Sequence, residues 1–431
     1  MTKPSVSETL ESVDFEAFKN EVIEDYKLAC ISRETSLLGR REVLTGKAKF
    51  GIFGDGKELA QIALSKQFQN GDFRSGYYRD QTIMMAIGQL NVQQYFAGLY
   101  AHTDVKQEPQ SAGRQMGGHF ATRNLDEKGN WKNLMEQKNS SADISPTAGQ
   151  MPRLLGLAQA SKIYRNNPGL AELEEFKKFT NGGNEVAFGT IGDASTSEGP
   201  FWETINAAGV LQVPMVMSVW DDGYGISVAR DKQTTKDSIS EALAGMQRTK
   251  DKPGYEIFIT KGWDYADLCL TYEKAVKLAR EEHIPVLVHV KEVSQPQGHS
   301  TSGSHERYKD EARMQWEIDF DCITKFEDWI LTFNTDGLTI ATKTELEAIQ
   351  KEAKKSVRDQ KNAAWKSFTD SVKEDLTNAV SLIKAVGTQS SNSAFINKIA
   401  NDLEKVMNPR RRDILGASRK ARRMVREENL S

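Results

Sequence analysis

EVAFGTIGDASTSEG, residues 185–199, decides the fold. Its first half is a near-continuous apolar run of strand length, the pattern of a strand buried on both faces. Its second half is small and polar and opens into the helical pattern GPFWETINAAGVLQ (199–212). Strand, turn and helix in that order begin a βαβ unit. Downstream the alternation continues. PMVMSVWD (214–221), YEIFITKG (255–262) and PVLVHVKEV (285–293) read as strands, and DYADLCLTYEKAVKLAREEH (264–283) reads as a helix. This alternation predicts an α/β fold, a parallel sheet covered by helices on both faces.

Working outward, residues 14–45 have helical spacing that stops at Gly46, and 57–70 read as a second helix. DFRSGYYRD (72–80) is strand-like and leads into a helix over 81–100. Residues 101–143 lack periodicity, and loops of that length are usually functional or flexible. A helix is expected over 147–165, shortened or kinked by Pro152. Residues 1–12 are expected to be a loose tail. Past about 310 the chain becomes charged and helical, and 408–431 is strongly basic: a solvated helix, or a linker or contact to a partner.

Net charge is −3 over 431 residues, so no global attraction to nucleic acid or membrane is implied. No apolar run approaches a membrane span, and the polar, acidic N-terminus lacks a signal-peptide pattern. Three scattered cysteines, Cys30, Cys269 and Cys322, suggest a reducing compartment, and a cytoplasmic location is expected.

Asp193 ends the first strand. In parallel α/β sheets, ligands bind beyond the carboxyl ends of the strands. The following loop offers small residues and backbone N–H groups at a helix N-terminus, an arrangement suited to phosphate. A carboxylate would repel that phosphate unless a cation lay between them, and magnesium prefers a few carboxylates together with phosphate oxygens and water. Asp193 is therefore a candidate magnesium ligand. The next strand ends in Asp221 and Asp222, which would deliver a second oxygen ligand from an adjacent strand. The plainer alternative is an N-cap for Asp193 and a turn at Asp-Asp-Gly.

GDASTSEG (192–199), followed by DDGYGIS (221–227) with Asp222 lying 29 residues beyond Asp193, resembles the thiamine-diphosphate signature. GYYRD (76–80), GRQMGGHF (113–120), SPTAGQMP (145–152) and QGHSTSGSHERY (297–308) add four further motifs. Taken in order, the set resembles the α subunit of the 2-oxo acid dehydrogenase that opens lipoyl-linked complexes, with the branched-chain type the nearest in pattern. The resemblance runs from about 45 to 380. It implies oxidative decarboxylation of a 2-oxo acid, of the 3-methyl-2-oxobutanoate type, with acyl transfer to a lipoyl group. The expected division is a tail and helix (1–45), a thiamine-diphosphate domain (46–325) and a helical C-terminal arm with a basic tail (326–431).

The resemblance assigns roles to residues. Asp193, Asp222 and the carbonyl of Tyr224 would hold magnesium. Tyr78 and Arg79 would approach the diphosphate, the planar guanidinium pairing two of its oxygens. Ser145, Thr147, Ala194 and Ser195 would line the cofactor region. His299 would orient or protonate the substrate, while His119 and His305 are taken as structural. The chain departs from the family at Ala194 (Gly in the signature), at Asp221-Asp222 (two Asn), at Trp220 (often Arg) and at Gly149 (Thr in relatives with a potassium site). An activating glutamate is expected from a β subunit or fused β domain in an α2β2 assembly, and a lipoyl transacylase would accept the acyl group. Pyruvate dehydrogenase, acetoin dehydrogenase and transketolase are rival enzymes. A subunit that has lost cofactor binding is the rival of another class.

Overall fold

The computed structural model describes residues 15–335 and 337–430; the expected tail at 1–12 lies outside them. They divide into two compact units, with the boundary between Arg358 and Asp359. The first holds a six-stranded sheet built from β1 (Phe73–Ser75), β2 (Asn139–Ser140), β3 (Ala187–Gly192), β4 (Met215–Trp220), β7 (Glu256–Lys261) and β8 (Val286–Lys291). The strand order is β2-β1-β3-β4-β8-β7, and every pairing is parallel. A separate hairpin pairs β5 (Tyr224–Gly225) with β6 (Val228–Ala229). The α/β expectation therefore holds.

The helices of this unit are α1 (Phe15–Leu44), α2 (Glu58–Lys66), α3 (Gln81–Ala86), α4 (Val92–Leu99), α5 (Met151–Asn166), α6 (Pro168–Ala171), α7 (Gly199–Leu211), α8 (Ile239–Ala242), α9 (Tyr265–Glu282), α10 (Glu311–Asp319) and α11 (Cys322–Thr332). Alternate strand residues point to opposite faces, and both faces are covered. Ala187 and Ile191 of β3, with Met215, Met217 and Val219 of β4, join one buried core with Met151 and Leu154 of α5 and Phe201 and Ile205 of α7. Facing the other way, the Ser218 hydroxyl of β4 takes a 2.9 Å hydrogen bond from Tyr272 on α9. This double covering is why the strands read as near-continuous apolar runs.

Two details refine the sequence expectation. The single helix expected over 81–100 is two, α3 and α4. Asn91 and Gln94 form a reciprocal capping box that starts the second. Of the two effects expected of Pro152, shortening is the one seen: the helix begins at Met151 rather than 147, with Pro152 unkinked in its first turn, where a missing N–H costs nothing. Among the described residues no helix is long and apolar enough to cross a membrane.

The helix α12 (Lys343–Gln389) starts in the first unit and ends in the second, which adds α13 (Ser393–Glu404) and α14 (Arg411–Met424). Ile396, Ala400 and Leu403 of α13 pack with Ile414 and Ala421 of α14 against Val372, Val380 and Ile383 of α12. The basic tail thus folds as an amphipathic helix with its apolar side in that small core.

Candidate active site

Parallel strands deliver all their carboxyl ends to one edge. Tyr77, Tyr78 and Arg79 follow β1, Asp193 follows β3, Asp221 and Asp222 follow β4, and the stretch holding His299 follows β8. Strands β3 and β4 pair without offset from Ala187↔Met215 to Gly192↔Trp220. Asp193 and Asp221 are the next residues, so they emerge side by side.

These segments line a cavity of about 330 Å³. Of the residues expected from the sequence, Tyr78, Arg79, Thr147, Asp193, Ala194, Ser195, Asp222, Tyr224 and His299 all border it. Ser145 does not; its hydroxyl lies 3.1 Å from His119 Nε2. His119 Nδ1 is 3.1 Å from the Met116 carbonyl, which only accepts, so in the neutral ring Nε2 accepts from Ser145. His119 braces the 145–147 loop. Trp220 is fully buried in β4 and also stays out of the cavity.

Asp193 is only 3% exposed, and its Oδ2 has no hydrogen-bond partner. Its side chain caps no helix; a 3₁₀ turn, Ala194–Ser197, separates it from α7. Burial, followed by the charges of Asp222 and Asp221, pushes its pKa well above the usual carboxylate value. The other two acids are compensated. Asp221 Oδ2 takes Arg230 Nη1 at 2.6 Å and His289 Nε2 at 2.9 Å. Burial would raise the Asp221 pKa, but the bond and charge of His289, then Arg230, hold it below the ordinary value. Asp222 Oδ2 lies 3.2 Å from Lys57 Nζ, and its Oδ1 accepts the Tyr224 N–H at 3.1 Å. The turn reading of Asp-Asp-Gly is thus realised as well, since Asp221 Oδ1 accepts the Gly223 N–H at 3.0 Å.

Lys57 was not singled out by the sequence. It is 1% exposed and donates to Gln295 Oε1 at 2.6 Å as well as to Asp222. Burial lowers its pKa, and the Asp222 carboxylate opposes that shift. No sequence signal marks it, because a lysine just before a helix reads as a solvated side chain.

His299 sits against Arg79. Arg79 Nη1 donates to the Phe53 carbonyl at 2.6 Å, and Nη2 donates to the His299 carbonyl at 2.8 Å. Gly298, at φ +71°, lets the chain turn into His299, and a Cβ there would come 2.8 Å from His305. Burial and then Arg79 push the His299 pKa down to about 4.

No group of three or more His, Cys, Asp or Glu side chains is placed to hold a metal ion among the described residues. Asp193 and Asp222 alone would leave most of a magnesium shell open, which fits an ion that shares its shell with phosphate oxygens and water. The partnerless Oδ2 of Asp193 fits a cation, because a buried carboxylate oxygen without a partner is costly. The small Ala194–Ser195 turn beside it leaves room for a diphosphate.

A cavity lined by Asp193, Asp222, Arg79 and His299 at the carboxyl edge of a doubly covered parallel sheet is the class of site that these features define. The profile of the family described as "Dehydrogenase E1 component" matches residues 26–372, and the chain belongs to that family. This is the family to which the ordered motifs point; α13 and α14 lie beyond the matched span. The 2-oxoisovalerate dehydrogenase subunit alpha of Bacillus subtilis is 27% identical over 62% of this chain and 69% of its own length. The pyruvate dehydrogenase E1 component subunit alpha of Rickettsia bellii is 25% identical over 44% of this chain and 53% of its own. The mitochondrial 2-oxoisovalerate dehydrogenase subunit alpha 1 of Arabidopsis thaliana is 23% identical over 66% and 52%. The chain thus spans about half the length of the last two relatives.

Proposed function

We propose that the chain is the α subunit, or α half, of a thiamine-diphosphate-dependent 2-oxo acid dehydrogenase that passes its acyl product to a lipoyl group. The observation carrying this reading is the buried, partnerless Oδ2 of Asp193 in a chain of the E1 family. A branched-chain substrate is supported by the likeness to the two 2-oxoisovalerate dehydrogenase subunits. Pyruvate is the second reading, supported by the Rickettsia relative.

Asp193, Asp222 and the Tyr224 carbonyl would hold magnesium. Tyr78, Arg79, Thr147, Ala194 and Ser195 would border the diphosphate, with Ser145 one step back through His119. Residues 46–325 would form the cofactor-carrying part of the chain. Bound thiamine diphosphate supplies the electron sink needed for loss of carbon dioxide from a 2-oxo acid. His299 is uncharged at neutral pH, given its pKa of about 4. Its Nδ1 faces Arg79 Nη2 at 3.1 Å, and arginine only donates, so the ring proton is on Nε2. That N–H is available to orient a substrate oxygen. The glutamate that activates the cofactor would come from a β subunit or fused β domain, and a lipoyl transacylase would take the acyl group. A cytoplasmic setting belongs to the same proposal and is supported by three free cysteines.

The test is carbon dioxide release from a panel of 2-oxo acids, with magnesium and thiamine diphosphate, using the chain alone and with its candidate β partner. Release only in the mixture, greatest for branched acids, is the expected result. Release by the chain alone would overturn the split active site. No release in the mixture together with no cofactor binding would replace this reading with a non-catalytic subunit.

A further inference from the structure

We infer that Lys57 is a positioning residue for the cation and diphosphate: it pairs with Asp222 so that the two side chains together act as one neutral ligand. The inference rests on the cavity being a magnesium–diphosphate site.

The argument is one of charge. Three acids end adjacent strands. Asp221 has the Arg230 guanidinium at 2.6 Å and a hydrogen bond from His289 Nε2 at 2.9 Å. Asp222 has Lys57 at 3.2 Å, and Asp193 has no partner at Oδ2. The set therefore presents one uncompensated carboxylate to an incoming ion rather than two. This difference matters because the ion arrives with a polyanion. Two bare carboxylates would hold a free divalent cation more tightly and repel the diphosphate beside it.

Lys57 is built for the task. It is 1% exposed, and a buried ammonium persists where it is paired and hydrogen-bonded. It reaches Asp222 from the residue before α2, while Gln295 holds it from the other side at 2.6 Å. Gln295 Nε2 in turn donates to the Gly298 carbonyl at 3.0 Å, one residue before His299. One lysine thus ties the cation ligand to the histidine loop. It touches neither substrate nor cofactor on this reading; it acts through Asp222.

The charge argument has an opposed signature. In the full chain with its candidate β partner, Mn²⁺ affinity is read by electron paramagnetic resonance, and thiamine diphosphate affinity at saturating Mn²⁺ by calorimetry. Lys57→Met is expected to bind free Mn²⁺ more tightly and thiamine diphosphate about 10- to 100-fold more weakly. Lys57→Met/Asp222→Asn, which replaces a neutral pair by a neutral amide, is expected to restore both affinities to within a few-fold. A role in folding alone would move both affinities the same way, and that result overturns the inference. Should Lys57→Met melt too low to assay, the double variant decides. Recovery supports the inference, and a folded double variant with weak thiamine diphosphate binding overturns it. If the unmodified assembly binds no Mn²⁺ that Asp193→Asn removes, the reading of the cavity fails first, and this inference falls with it.

Discussion

Arg79 grips His299 at two points: Nη2 donates to its carbonyl at 2.8 Å and meets its Nδ1 at 3.1 Å. The guanidinium therefore fixes both the backbone and the tautomer of the residue assigned to proton handling. A positive neighbour also disfavours protonation of the ring.

The pH consequence follows in sign. His299 titrates at about 4, below the ordinary 6.5. A step that needs the neutral ring is expected to be flat from pH 6 to 8 and lost as pH falls through about 4. The depressed pKa likewise contributes stability above pH 6.5 that is lost as pH falls through 4. A nuclear magnetic resonance titration of His299 checks this, and a midpoint near 6.5 would contradict it. His299→Ala is expected to cut acyl transfer about 10²- to 10⁴-fold while leaving cofactor affinity within a few-fold.

Asp193→Asn separates stability from binding. The variant replaces a buried carboxyl whose ionisation is disfavoured by burial and by the neighbouring acids, and whose Oδ2 has no partner, so the metal-free protein is expected to be as stable or more stable, by up to about 2 kcal/mol. Magnesium-dependent thiamine diphosphate affinity is expected to drop at least about 100-fold, since a charged ligand is lost. Urea unfolding and calorimetry on the same preparation check the pair. A destabilised protein with intact affinity would remove Asp193 from the cation site.

Arg74 supports the Tyr77–Arg79 turn from beneath. Fully buried, it meets Asp80 at 2.7 Å and Asp143 at 2.9 Å, and donates to the Tyr77 carbonyl at 3.0 Å. Arg74→Ala leaves two buried acids unpaired and is expected to cost about 3–5 kcal/mol. Arg74→Lys should recover only part of that loss, because lysine lacks the planar fork. Denaturation midpoints of the two variants provide the comparison.

Ala194, where the thiamine-diphosphate signature has glycine, creates a dependence on Gly225. A Cβ at Gly225 would lie 2.7 Å from the Ala194 Cβ. Gly225→Ala is therefore expected to push the Asp193–Ser195 turn away from Tyr224 and to weaken cofactor binding about tenfold or more. The same Cβ would also crowd Gln233 Oε1, the far end of a flexible side chain that can turn away, so combining Gly225→Ala with Ala194→Gly removes the Cβ–Cβ clash and should recover most of the loss. Calorimetry on the single and double variants measures this, and no recovery would place the strain elsewhere.

What the sequence made legible follows from physics that is local along the chain. Strands β3, β4 and β8 are nearly continuous apolar runs because both sheet faces are covered, and α9 carries its period over 18 residues. Asp193 and Asp222 stood out because acids at apolar strand ends are conspicuous. The break between α3 and α4 was written in Asn91 and Gln94, but the flanking apolar residues masked it. Strand β1 falls inside the stretch 72–80 that reads as strand-like, whereas the two-residue β2 owes its form to pairing rather than pattern. Lys57 was invisible for the same reason: its burial depends on Asp222 and Gln295, far along the chain.

The level register of β3 and β4 also constrains how such a chain can change over generations. One residue inserted in either strand would slide its terminal acid by about 3.3 Å and turn every following side chain to the other face. The loops are under no such restriction. Lengthening the exposed stretch from 126 to 130 leaves Gly192 beside Trp220. Descendants of this chain are therefore free to gain and lose surface segments, while the spacing within its two central strands is held almost to the single residue.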